Sequence, residues 1–509
     1  MHPSIVARNT PDKPAIIFPQ SGRQSTYGEM DANSNRIAHL LRSVGLRVGD
    51  VIAVLSENHP RIFDIAWAAQ RSGLYYVMLP SRMTAEEAGY IIRDSGATAL
   101  IVSSTVGDTP AALSKAHTSL IKFSFGGPLP GYRDLDREMA EFPPEPIADE
   151  CAGLDMLYSS GTTGRPKGIR RPLPGTGIGA PDPLCVMAER DFGMTEDSVY
   201  LSPAPLYHAA PLRWTMVVQR IGGTVIAMEK FDAETALELI DRYNVTHSQW
   251  VPTNFVRMLK LPEEARSAHD LSSHVCAVHA AAPCPVSVKE QMIDWWGPIL
   301  FEYYGGTEGA GFCQISPQEW LARKGSVGKA TKGILRICDE DGDPLPAGEI
   351  GDVFFEGGPD FSYHNDPEKT AESRNKHGWR TFGDVGYVDK EGYLFLTDRK
   401  KFMIISGGVN IYPQEIENAF LAHPLVQDAA VFGVPDDEFG ERVVAVIEPR
   451  HWVDAGPDLE AELSEFIRTQ VSRIKAPKEI HFQETLPREP TGKLMKKKLQ
   501  QTYVSSSDN

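Results

Sequence analysis

Residues 158–168 read Tyr-Ser-Ser-Gly-Thr-Thr-Gly-Arg-Pro-Lys-Gly. Glycines let a backbone bend and bring its N–H groups close to an anion. The hydroxyls of Ser159, Ser160, Thr162 and Thr163 add donors, Gly161 and Gly164 add bends, and Arg165 and Lys167 add positive charge. That mixture suits a loop that grips phosphate. It is not a Walker A loop, because G-x-x-x-x-G-K-[ST] does not fit. A second segment, Tyr303-Tyr304-Gly305-Gly306-Thr307-Glu308-Gly309, follows the apolar run WGPILFE. Tyr304 could stack on a base. Glu308 offers oxygen to Mg²⁺, which commonly shares its ligands with phosphates. In a third region, Asp384 sits in the glycine turn GDVGY, ahead of Asp398-Arg399-Lys400-Lys401 and Ser406-Gly407-Gly408. A carboxylate so placed can accept hydrogen bonds from both hydroxyls of a ribose, although a lone Gly-Asp turn is usually just a turn. The fourth segment is Pro490-Thr491-Gly492-Lys493, a lysine fixed by a turn. The nearby run Lys496–Lys498 reads instead as a solvated helix face.

Gly175-Thr-Gly177-Ile-Gly179-Ala180 satisfies G-x-G-x-x-A. RRPLP before it is a poor strand and no helix clearly follows, so the dinucleotide fingerprint lacks its context. These residues read as loop. The chain of 509 residues carries a net charge of −17, which disfavours a general nucleic-acid binder or a polybasic membrane anchor. Residues 399–509 contribute −3, so the acidity belongs to the larger preceding part. An anionic substrate therefore needs local cations. The six cysteines are scattered without zinc spacing, which points to a reducing compartment. No secretory signal and no apolar run of spanning length is evident, so a cytoplasmic protein with no integral membrane segment is expected.

The elements that must position these residues change along the chain. Up to about residue 320, short apolar runs alternate with helical patterns. VIAVLS (51–56) reads as a buried strand, RIFDIAWAAQRSG (61–73) as an amphipathic helix and TALIVSS (98–104) as a strand. That alternation predicts βαβ units and a largely parallel sheet. Thereafter Asp-Gly and Glu-Gly turns signal antiparallel hairpins. From residue 399 a helix, two strands, a helix and a basic tail suggest a small α+β domain.

In this order and spacing, the phosphate loop, YGGTE (304–308), GDVGY (383–387), DRKKFMIISGG (398–408) and PTGK (490–493) resemble the adenylate-forming superfamily of acyl-CoA synthetases, adenylation domains and luciferases. The resemblance covers nearly the whole chain. It implies an α/β fold: a large N-terminal domain (1–397) of two sheet-helix subdomains plus a small β-barrel, a hinge at Asp398, and a small mobile α+β C-terminal domain (399–509). It also implies ATP, Mg²⁺ and coenzyme A as reactants and cofactor. Ser159, Ser160, Gly161, Thr162, Thr163, Gly164 and Lys167 would surround the β- and γ-phosphates. Tyr304 would pack on adenine, Ala281 would be part of the ATP/AMP-binding site, Thr307 would contact the α-phosphate, and Glu308 would bind the metal. Asp384 and Arg399 would hold the ribose. Lys493 would bridge the carboxylate and α-phosphate during adenylation, and His208 would gate the acid. Gly407 and Gly408 would line the pantetheine tunnel, with Arg442 and Lys475 contacting the CoA nucleotide. Phe402 and Val409 depart from the family, which usually has an acidic residue at the first position and often at the second. Ile474 stands where an aromatic is common.

The resemblance draws the acyl pocket from Tyr207, His208, Ala209, Trp214, Trp250, Gly305, Gly306 and their neighbours. Many of these are small and apolar, which favours a bulky hydrophobic acid: a fatty acid or a steroid or bile-acid side chain. An aryl acid such as a cinnamate or benzoate is the close alternative, and transfer to a separate carrier protein another. The expected partners are small molecules, not nucleic acid. The sequence leaves a homodimer open.

Overall fold

The computed structural model describes residues 2–159, 166–406, 409–436, 439–488 and 494–505. The fold is mixed α/β. Cα packing divides the chain into two compact units, one built from residues 1–250, 260–278 and 360–371, the other from residues 251–259, 279–359 and 372–509.

The first unit is a parallel-sheet structure, as the alternating runs predict. One sheet has the order Arg133–Asp134, Ile121–Phe125, Ala97–Ser103, Val51–Ser56, Tyr75–Pro80, Leu154–Asp155, with every neighbour parallel. Every residue of Val51–Ser56 is buried, the signature of a strand covered on both faces. The helix Arg61–Arg71 buries Ile62, Phe63, Ile65, Ala66 and Trp67. It stops two residues short of Gly73, whose φ of 63° no helix continues. A second group of parallel strands runs His247–Trp250, Val199–Ser202, Thr224–Ala227, Pro14–Phe18, followed by the antiparallel Arg23–Thr26.

The second unit is mainly antiparallel. The strand Leu300–Gly305 forms a hairpin with Phe312–Ile315, which continues to Lys329–Lys332. The hairpin-rich stretch folds as a four-stranded meander: Ile334–Cys338, Gly351–Glu356, Arg380–Val388 and Leu394–Arg399. Towards the C-terminus, Gly440–Pro449 lies between antiparallel Val426–Asp436 and parallel Glu479–Phe482. Helices Pro413–Leu421 and Pro457–Gln470 contribute Ile416, Phe420, Leu459, Leu463 and Ile467 to one core of this sheet. Leu499, from helix Lys496–Ser505, joins a separate core with Phe432 and Val444. Among the described residues, no helix is long and apolar enough to cross a membrane.

Candidate active site

The phosphate-loop segment begins and ends in a two-stranded antiparallel ribbon. Leu157–Ser159 pairs with Lys167–Ile169, and Lys167 stands opposite Ser159. The intervening Ser160, Gly161, Thr162, Thr163, Gly164 and Arg165 lie outside the described residues. The ribbon is anchored beside its first strand: the Tyr158 hydroxyl donates to Asp94 Oδ2 at 2.6 Å. The Lys167 ammonium sits 5.3 Å above the Tyr363 ring. A cavity of about 220 Å³ is lined in part by Asp94, Lys167, Gly168 and His364. Residues 175–180 are loop, as expected, and no strand leads directly into them. A helix, Pro183–Phe192, does follow, contrary to the sequence reading, its start marked by Asp182 as cap and Pro183 at the first position.

In the second unit, Tyr304 lies near the end of strand Leu300–Gly305, and Thr307 and Glu308 lie in the turn that follows. The turn closes with a Gly309 N–H to Gly306 carbonyl bond of 3.0 Å. A Cβ on Gly306 would come within 2.6 Å of both Glu308 Oε2 and the Phe382 ring, so only glycine fits there. Thr307 Oγ1 donates to Glu308 Oε2 at 3.2 Å. The Tyr304 hydroxyl donates to Asp384 Oδ2 at 2.6 Å. Arg399 Nε lies 3.2 Å from the other oxygen, Oδ1. Asp384 and Arg399 meet because they face each other across the register of Arg380–Val388 and Leu394–Arg399. Burial pushes the Asp384 carboxyl upward and the Arg399 guanidinium opposes it. Burial and the Asp384 charge raise the Tyr304 phenol. The sequence thus suggested Tyr304, Asp384 and Arg399 from separate segments, and the fold joins them through one hydrogen bond and one ion pair. Ala281 has φ of 76°, a conformation unusual for a non-glycine residue and often found at functional sites.

In the first unit, His208 caps the start of helix Ala209–Ile221, without a side-chain cap bond. Its Nε2 is buried and has no hydrogen-bond partner among the described residues. Burial lowers its pKa to about 4, so the imidazole is neutral at neutral pH and can donate or accept one hydrogen bond. Tyr207 packs on it with ring centroids 4.5 Å apart. Trp214 is buried and meets Phe192 at 5.4 Å. Trp250 is buried, and its Nε1 donates to Ser248 Oγ at 2.6 Å. Ala209 is partly buried on the first turn of the helix, whereas Gly305 is exposed on the tyrosine strand of the second unit.

In the C-terminal region, Asp398 Oδ2 accepts from the Gln414 N–H at 2.9 Å, near the start of helix Pro413–Leu421. Gly407, Gly408 and Lys493 lie outside the described residues. Both suggested CoA-nucleotide contacts are engaged with carboxylates: Arg442 Nε with Glu479 at 2.8 Å and Lys475 Nζ with Glu415 at 2.7 Å. Phe402 and Val409 flank the strand Ile404–Ser406, and Val409 is exposed.

The run Lys496–Lys498 requires a correction. It opens a helix, but Lys496 is not solvated. Its side chain is 8% exposed and its ammonium lies 2.7 Å from Glu417 Oε1, itself buried. The same Glu417 oxygen accepts from the Val431 N–H at 2.7 Å. Three adjacent lysines look alike in a sequence, and only the helix phase selects which one turns inward. Burial pushes Glu417 up to about 7 against the pull of Lys496. Replacing Lys496 with methionine leaves that carboxylate without its cation. The expected loss is about 3 kcal/mol, at the lower end for a broken buried pair because Glu417 can take up a proton. Denaturant unfolding of this variant against the parent checks it.

Comparison with known proteins settles the family. The model of the AMP-binding enzyme matches residues 4–359, and that of its C-terminal domain matches residues 415–493. The chain belongs to the AMP-binding enzyme family. This places it among AMP-forming acid–thiol ligases, with a large N-terminal and a small C-terminal domain. A feruloyl-CoA synthase from Amycolatopsis is 34% identical over 98% of this chain and 97% of its own. The long-chain-fatty-acid–CoA ligase FadD13 of Mycobacterium tuberculosis is 31% identical over 98% and 97%. Among solved structures, the o-succinylbenzoate CoA synthetase of Bacillus subtilis, in complex with its acyl-adenylate intermediate, superposes with a TM-score of 0.80. It is 27% identical and covers 98% of this chain and 97% of its own.

The residues in the tyrosine turn fit the magnesium ion that adenylate-forming chemistry calls for. Among the described residues no group of three His, Cys, Asp or Glu side chains could hold a metal by itself. Magnesium does not require one: it takes one or two carboxylates, with water and substrate phosphate completing the octahedron. Glu308, with the Thr307 hydroxyl against it, supplies hard oxygen of that kind.

Proposed function

We propose that this enzyme is an ATP-dependent acyl-CoA ligase for a hydrophobic carboxylic acid. It would form acyl-AMP with release of pyrophosphate, then pass the acyl group to the thiol of coenzyme A. The observation that carries the reading is the Tyr304–Asp384–Arg399 group beside the Thr307–Glu308 turn. A carboxylate has about four lone-pair sites. Tyr304 occupies one and Arg399 pairs with the other oxygen as an ion pair, leaving capacity for both hydroxyls of a ribose. Tyr304 is held in place by its bond to Asp384 and by Phe382, 5.7 Å away edge-on, which leaves it a fixed apolar surface for adenine.

The chemistry follows from charge. A carboxylate is a poor nucleophile towards a polyanion, because the two repel. Ser159, Lys167 and the loop between them would hold the β- and γ-phosphates, with Thr307 at the α-phosphate. Bound magnesium on Glu308 would offset phosphate charge. Lys493 would bring a cation to the α-phosphate and the incoming carboxylate, where charge develops. Neutral His208 would orient the acid without adding a charge that resists its entry. The acyl-AMP bond, once made, gives AMP as a good leaving group for thiol attack. For the second step the C-terminal domain (399–509) would turn about Asp398, withdrawing Lys493 and presenting Gly407 and Gly408 to the pantetheine arm. Such movement of one domain about a few backbone torsions is a known way to run two steps at one site.

Buried Tyr207, Trp214 and Trp250 and small Ala209 favour a hydrophobic acid, fatty or bulky and polycyclic. The 34% identical feruloyl-CoA synthase makes an aryl acid the second reading. The test is thioester formation with ATP and CoA across fatty, steroid-side-chain, cinnamate and benzoate acids. A hydrophobic acid is expected to give acyl-CoA and AMP in equal amounts. Acyl transfer only to a carrier protein, with none to CoA, would refute the acceptor.

A further inference from the structure

Lys289 and Glu302 form a buried ion pair that neither the phosphate loop nor the acid pocket uses. Lys289 Nζ lies 2.7 Å from Glu302 Oε2, with side-chain exposures of 0% and 6%. The ammonium also sits 4.8 Å from the Trp320 ring centroid. His279 Nε2 lies 3.4 Å from the same Glu302 oxygen, and neither of its ring nitrogens has a hydrogen-bond partner among the described residues. Burial together with the Lys289 charge keeps this histidine neutral, so it does not neutralise Glu302. The carboxylate depends on Lys289.

Stability alone is a weak reason for such a pair. The cost of desolvating two charges often matches their attraction, and apolar replacements are frequently neutral or better. Geometry gives a stronger one. Lys289 is on helix Val286–Trp296, and Glu302 is on strand Leu300–Gly305, two residues before Tyr304. Residues two apart in a strand project from the same face. That face is therefore fastened at two successive points, Glu302 to Lys289 and Tyr304 to Asp384. The turn carrying Thr307 and Glu308 follows directly.

We propose that Lys289 and Glu302 are positioning residues that pin the tyrosine strand against its helix, so that Tyr304, Thr307 and Glu308 meet ATP in register. The pin acts through other side chains and touches no substrate. It rests on the nucleotide-site assignment made above. A displacement near 1 Å at a reacting site can cost about 100-fold in rate, so a strand that packs well but sits loosely would still be a poor catalyst.

The test uses the full-length K289M/E302L and E302Q variants. Thermal unfolding, the KM for ATP and the KM for the acid are measured for each, with D384A in parallel. The double replacement is expected to unfold near the parental temperature, yet to raise the KM for ATP or lower adenylation kcat by about 10-fold or more. The KM for the acid should move far less. E302Q keeps an acceptor for Lys289 but not its counter-charge, so it is expected to unfold at a lower temperature than the parent and, per folded molecule, to show a smaller loss of the same kind. If both variants keep parental kcat and KM for ATP, or lose them only in step with folded fraction, the pin is overturned. Should the double variant not fold, E302Q decides. If D384A leaves the KM for ATP unchanged, the nucleotide assignment fails; if D384A raises it and the pair variants do not, only the pin fails.

Discussion

Lys493→Ala is expected to lose acyl-AMP formation by about 100- to 1000-fold while still converting supplied acyl-AMP to acyl-CoA. The reason lies in which step needs the charge. Two anions, the carboxylate and the α-phosphate, must approach during adenylation, and one cation between them offsets repulsion that grows towards the transition state. Thiol attack on acyl-AMP expels AMP and has no such approach of anions. Lys493 ends the Pro-Thr-Gly-Lys segment, three residues ahead of Lys496 in the sequence, and Lys496 is locked to Glu417 in the domain interior. Single-turnover measurements of the two half-reactions separate these outcomes. Full adenylation by the variant would remove Lys493 from its role, and equal loss of both half-reactions would show a general defect instead.

Asp384→Ala is expected to raise the KM for ATP by about 100-fold. Two hydrogen bonds from ribose to a carboxylate, at roughly 1.5 kcal/mol each, amount to that factor. The variant also leaves the buried Tyr304 hydroxyl without its acceptor and frees the Arg399 guanidinium. Asp384→Asn separates the contributions. It retains an acceptor for Tyr304 but loses the charge facing Arg399, so an intermediate loss is expected. Steady-state kinetics with ATP varied at saturating acid check both variants. An unchanged KM for ATP in Asp384→Ala would take the ribose away from this carboxylate.

How legible the site was in the sequence depended on the range of each interaction. Strands and helices follow local periodicity, so VIAVLS and RIFDIAWAAQRSG could be placed within a few residues of Val51–Ser56 and Arg61–Arg71. The loop residues were visible because glycine, hydroxyl and cation crowd into short stretches. The bond between Tyr304 and Asp384 spans 80 positions and was hidden, although each partner stood out alone. Lys289 and Glu302 had no local signal: a lysine in an amphipathic helix and a glutamate in a strand look solvated until the fold buries both. Lys496 misled for the same reason, since burial of one lysine in a run of three depends on a helix face set by distant Glu417. Acid preference was the least legible feature, because alanines and glycines that make room for a substrate also pack ordinary cores.

Acid-dependent exchange of labelled pyrophosphate into ATP, measured with Mg²⁺ and without CoA, bears most directly on the central claim that this chain activates carboxylic acids as adenylates. Exchange should appear with a hydrophobic acid, disappear when the acid is omitted, and fall sharply in Lys493→Ala and Asp384→Ala. Thioester formation from acid, ATP and CoA without any acid-dependent exchange, with ADP rather than AMP as product, would contradict it.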